Sequence, residues 1–163
     1  MSFRLEQNSP GGGIPTVRQR AIVPASAGRK GHLLTQNGSG QFVEVAGADP
    51  ALNTIAAVAL SDWGAGSGSL YPIGTREFPP GFIQGYVISE DVPFLAQYIG
   101  SLPSSEGGTY GVTKDGSGLW KVDFTKVGGA TARVRLVDLR TAISPLARPE
   151  VGVVFLPGFM QIG

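Results

Sequence analysis

The chain is cut into short pieces. Its 163 residues include 25 Gly and 12 Pro, spread so widely that no apolar run grows long. Gly inside a helix costs backbone entropy, and Pro removes a donor and clashes with the preceding turn. What remains between the breaks is β-branched and aromatic. Residues 32–36 and 41–45 flank Asn37-Gly38-Ser39-Gly40, which is a hairpin signal because Asn-Gly tolerates positive φ. Residues 109–113 and 119–124 flank Asp115-Gly116-Ser117-Gly118, a second hairpin. Residues 21–23, 55–60, 82–88, 94–99, 132–139 and 151–156 also read as strands. Within 120–124, Trp120, Val122 and Phe124 share one face, which places Trp120 in the core. In 132–139 the apolar phase switches from Val134 and Leu136 to Val137 and Leu139, which predicts a bulge. Only Ala48-Asp49-Pro50-Ala51 suggests a helical turn. The pattern is all-β, a small sandwich or barrel of about ten short strands.

Residues 1–20 read as an extended N-terminal arm, because Gly11-Gly12-Gly13 lies between Pro10 and Pro15. Five basic residues and one acidic residue fall within residues 1–31, although the whole chain is only +1. Arg4, Arg18 and Arg20 therefore equip the arm to find an acidic groove, mobile in solution and ordered on a partner. Residues 21–163 form the body. Its two sub-parts, 21–60 and 82–163, are joined by a turn-rich loop over 61–81. Trp63, Tyr71, Phe78 and Phe82 cluster around that loop. They are either exposed interface anchors or a cap on one end of the core.

Tuned chemistry is scarce. There is no Cys and one His, and charged residues make up 15% of the chain. His32 would have to be the base of any Ser-His-Asp system, and no Gly-x-Ser-x-Gly elbow accompanies it. Its reading here is a strand-edge histidine bonded to backbone. Glu90-Asp91 and Glu77 near aromatics read as turn carboxylates rather than a glycosidase pair. Asp115-Gly-Ser-Gly lacks the alternating acids of a calcium loop, and neither glycine-rich stretch continues into Lys-Ser/Thr. We expect no catalytic residue, no metal and no cofactor. Residues 1–20 contain no apolar signal core, and no stretch is long enough for a membrane helix. The arm has too few basic residues, and no interleaved aromatics, for direct nucleic-acid binding.

Several segments together resemble tailed-bacteriophage head decoration, or capsid cement, proteins. The first half of the resemblance runs through Ala27-Gly28-Arg29-Lys30-Gly31-His32-Leu33-Leu34, Gly38 to Ala46, Ala48-Asp49-Pro50 and Ile55 to Ala59. The second runs through Thr109 to Val112, Gly118 to Asp123, Arg133 to Asp138 and Gly152 to Leu156. It covers residues 21–156 in patches and leaves out the arm. The resemblance implies an all-β accessory protein of the virion that binds the major capsid protein. Such a protein would self-associate as a dimer or trimer and be assembled in the host cytoplasm. It transfers no catalytic residues. Two other readings stand beside it: a carbohydrate- or receptor-binding module of a virion using the loop aromatics, and a small hydrolase using His32.

Overall fold

Two turns of the same chemistry shape the hairpins. Asn37 Oδ1 accepts from the backbone N–H of Ser39 and Gln41, and Asp115 Oδ1 accepts from Ser117 and Leu119. Each turn ends on a glycine in the left-handed region, Gly40 at φ 76° and Gly118 at φ 80°. The positive φ thus falls on the last glycine, not on the Asn-Gly pair. A three-residue hairpin loop needs its left-handed residue there.

The computed structural model describes residues 2–6, 13, 15–23, 26–51, 54–64, 82–139 and 149–156. Among them are thirteen short strands and one turn of 3-10 helix at Gly129–Thr131. The N-terminal strands are β1 Phe3–Leu5, β2 Val17–Ala21, β3 Ala27–Gly28, β4 Leu33–Gln36 and β5 Phe42–Glu44. Next come β6 Ala57–Ala59, β7 Trp63–Gly64, β8 Phe82–Val87 and β9 Phe94–Ile99. The last are β10 Thr109–Lys114, β11 Trp120–Val127, β12 Val134–Asp138 and β13 Glu150–Phe155. The all-β architecture is as the sequence suggests. The bulge is also present: the β12–β13 register shifts between Leu136 and Asp138.

The strands form two main sheets. One runs β1-β9-β11-β10-β12-β13, and a further β9–β13 pairing closes it into a barrel. The other runs β2-β8-β6-β4-β5, and a bridge between Ile22 and Phe42 curls it back on itself. β3 and β7 form a two-stranded ribbon. The curled sheet has two apolar faces. Leu34, Phe42, Ala57, Ala59, Trp63 and Ile83 cluster on its inner side. Leu33, Val45, Ile55, Val58 and Ile88 join Phe3, Phe94, Trp120, Val134 and Phe155 in the core shared with the barrel. Trp120 is fully buried, as its face predicts.

Two expectations are corrected. Residues 48–51 form no helical turn. Asp49 bonds to Lys126 and Thr113, and the Pro50 carbonyl accepts from Arg133 Nε, so the segment is tied across the barrel strands instead. Over its described residues the N-terminal segment is not a free arm. Phe3 is 1% exposed and packs against Phe155 with ring centroids 5.4 Å apart. β1 pairs with β9 over Phe3 to Leu5, and Ser2 Oγ accepts from the Trp120 backbone N–H. Farther on, Gly13 donates to Asp91, and β2 pairs with β8 along its length. The Gly/Pro composition hid an apolar residue with a place in the core. Removing the Phe3 ring by Phe3→Ala is expected to cost about 3–5 kcal/mol. Urea unfolding followed by Trp fluorescence measures this, and an unchanged midpoint would show that β1 is dispensable.

Candidate binding surface

The seven candidate contact residues separate in the structure. Arg4 is half-exposed at the side chain, and its Nη2 lies 2.6 Å from Glu150 Oε2. That hydrogen bond raises the guanidinium pKa further above its ordinary value. Arg4 thus anchors β1 to β13. Trp63 is 3% exposed, so it caps the inner cluster of the curled sheet. Its indole lies on Gly28, where a β-carbon would overlap the ring. Tyr71 and Phe78 lie outside the described residues. Arg18, Arg20 and Phe82 come together on the β2–β8 ladder, but not on one face. Arg18 pairs with Gly85 and Arg20 with Ile83, which puts both arginines on the inner side with the Ile83 cluster. Phe82 pairs with Ala21 on the outer side and is 37% exposed.

That outer face has a readable pattern. Directly paired residues on adjacent strands share a face. Val17 pairs with Tyr86, Tyr86 with Val58, and Val58 with Leu33, whose carbonyl accepts from Val45. One apolar row therefore crosses four strands and ends on Val45, just past β5. Val45, Leu33 and Val58 are buried against the barrel, Tyr86 is half-buried, and Val17 is 44% exposed. Alongside it, Gln19 pairs with Gln84 and Ala21 with Phe82. The face that packs on the barrel thus continues beyond it as Val17, Gln19, Ala21, Phe82, Gln84 and Tyr86. None of these six is charged. The ladder's charges, Arg18 and Arg20, lie on its other face, so this face is uncharged and its two exposed large apolar side chains suit contact.

Sequence reasoning found Phe82 but missed Val17, Gln19 and Gln84. The signal was the alternation in Val17-Arg18-Gln19-Arg20-Ala21, obscured because residues 17–20 fall in the arm and the strand is read only from Ala21.

The buried polar chemistry lies elsewhere, at the junction of the two sheets. Glu44 Oε1 lies 3.1 Å from Trp120 Nε1, 2.8 Å from Lys114 Nζ and 2.8 Å from His32 Nδ1. The His32 contact has the distance of an ion pair but not hydrogen-bond alignment, and Nε2 is buried with no partner among the described residues. His32 thus lies against a carboxylate, not the backbone acceptor expected of its side chain. Lys114 Nζ also sits 6.0 Å from the Trp120 ring centroid. Burial pushes the Glu44 carboxyl up, but its contacts with His32, Lys114 and Trp120 outweigh burial and hold it down at about 2. One carboxylate oxygen therefore joins β5 to β10 and β11.

No family model, no curated protein and no solved structure matches this chain. Among the described residues no helix is long and apolar enough to cross a membrane.

The Glu44 contacts fix a pH dependence. A carboxyl depressed from 4.5 to about 2 on folding contributes stability at pH above 4.5. That contribution is lost as pH falls from 4.5 toward 2. Glu44→Gln should cost about 1–3 kcal/mol at neutral pH and flatten the acid limb. Urea midpoints for both proteins across that window measure it. Parallel acid limbs would assign the acid sensitivity to other carboxyls.

Proposed function

We propose that the protein is a non-catalytic accessory capsid protein of a tailed phage, which binds the major capsid protein and reinforces the head. The observation that carries the binding reading is the uncharged outer strip of β2 and β8. It extends an already buried face past the edge of the barrel. The rest of the molecule supports it. Two sheets sharing one core, joined by Glu44 and with β1 locked in, make a stiff body that loses little freedom on docking. The resemblance to head decoration proteins supplies the partner class. Repetition over a shell adds avidity, so each contact can be modest.

The other readings fare less well. His32 has a carboxylate at Nδ1, as a general base would. Its residue is only 5% exposed, however, and Glu44 is committed to Lys114 and Trp120. The ring is also covered edge-on by Trp63, with ring centroids 6.4 Å apart. Trp63 is buried, which removes one aromatic from any sugar-binding platform.

The test is co-sedimentation of the purified protein with capsid shells that lack it, followed by heating of the loaded shells. Saturable binding and a higher shell-disruption temperature are expected. A protein that leaves shells unloaded at every concentration would end the capsid reading.

A further inference from the structure

We infer that the inner side of the curled sheet is a binding site for a buried water, held by Trp63 Nε1, His32 Nε2 and Ser61 Oγ. The inference concerns the sheet's interior and does not depend on what the outer strip binds. All three atoms are buried and have no hydrogen-bond partner among the described residues. His32 is 5% exposed and Trp63 3%. Buried polar groups are nearly always satisfied, by protein or by ordered water, because a dry one keeps the full cost of leaving solvent.

Local structure brings the three together. The Ala59 carbonyl accepts from the Gly31 N–H, and the Ala59 N–H donates to the His32 carbonyl. Two residues thus oppose one, a bulge that opens on Gly31 in the left-handed region at φ 87°. Bulges re-aim side chains, and here the His32 ring meets Trp63 edge-on. The facing segment is clamped to the same turn. The Lys30 N–H donates to Asp62 Oδ1, and Gly28 pairs with Trp63. Ser61 sits between these tethers. The segment carries small side chains there, Ala59 and Ser61, which is what a water beside two rings requires.

The chemistry selects the guest. An indole N–H only donates. His32 Nδ1 faces Glu44 Oε1 at 2.8 Å, and an imidazole places its proton on the nitrogen that faces a carboxylate, which leaves Nε2 to accept. Ser61 Oγ does either. The guest must therefore accept from Trp63 and donate to His32. A metal ion finds no lone pair on the indole nitrogen, and an anion offers Nε2 no proton. Water meets all three atoms, with the three or so bonds that buried waters make.

The test is nuclear magnetic resonance on the isotope-labelled full chain. One His and two Trp keep the assignment simple. Trp120 Nε1 donates to Glu44 and is the internal control. A cross-peak with the sign of long-lived bound water is expected at the Trp63 indole proton and not at that of Trp120. A long-range proton–nitrogen correlation should show His32 protonated at Nδ1 and bare at Nε2. Ser61→Ala removes a hydroxyl whose exchanging proton imitates water, and it should keep the Trp63 cross-peak. Absence of that cross-peak in the wild type overturns the inference. So does its loss in Ser61→Ala with circular dichroism unchanged, which assigns the signal to the hydroxyl. A proton on Nε2, or a crystal structure that bonds either ring nitrogen directly to a protein group, overturns it as well. No arm reads shell binding, so each of these outcomes leaves the capsid reading where it stands.

Discussion

The molecule depends on one burial: the outer face of the curled sheet against the barrel. Leu33, Val45, Val58 and Ile88 meet Phe94, Trp120 and their neighbours in a single core. The inner cluster of the curled sheet, led by Phe42 and Trp63, is the smaller of the two. β4, β5 and β6 are four, three and three residues long, and strands this short are marginal without a packed face. Each large aliphatic side chain buried there contributes about 1.5–3 kcal/mol, which offsets the ordering of a loop-rich chain. Phe3 joins that core from the N-terminus, so the first residues described are part of the same cooperative unit.

An apolar junction of this kind is non-directional, and the polar contacts make it specific. Glu44 collects an indole N–H, an ammonium and an imidazole on one oxygen. A half-buried carboxylate left alone would be held above its ordinary pKa, and here its partners outweigh that burial and lower it. The arrangement also constrains chemistry. The one imidazole in the chain lies against Glu44 beside β4, within the curled sheet, and that carboxylate is engaged across the junction by Lys114 and Trp120.

The fold was legible where strands carried their own periodicity. β9 is Phe94–Ile99, the run read from apolar content, β13 is Glu150–Phe155, one residue ahead of the run read over 151–156, and the phase switch in β12 marked its bulge. What the sequence concealed was long-range. β1 and β2 look like coil because their neighbours are Gly, Pro and Arg, and they are strands only because β9 and β8 offer them an edge. Trp63 looked like a loop aromatic because its burial depends on Gly28, thirty-five residues earlier. The surface was hidden for the same reason. Val17, Gln19, Phe82 and Gln84 are neighbours only through the β2–β8 register.

That register decides what the surface can bind. In Val17-Arg18-Gln19-Arg20-Ala21 the odd positions are uncharged and two even ones are cationic. A slip of one residue would turn the arginines outward and convert a neutral strip into a basic one. The structure holds the phase at several points. Val87 donates to the Thr16 carbonyl just ahead of β2, and Ile22 bridges to Phe42 just beyond it. Between them, Gly85 lies opposite Arg18 where the backbone runs close to Ala57 and Leu34, leaving no room for a side chain. On that inner face Arg18 therefore lies opposite a residue that has no side chain of its own, and Arg20 lies opposite Ile83. Packing inside the curled sheet in this way sets the charge of its outside.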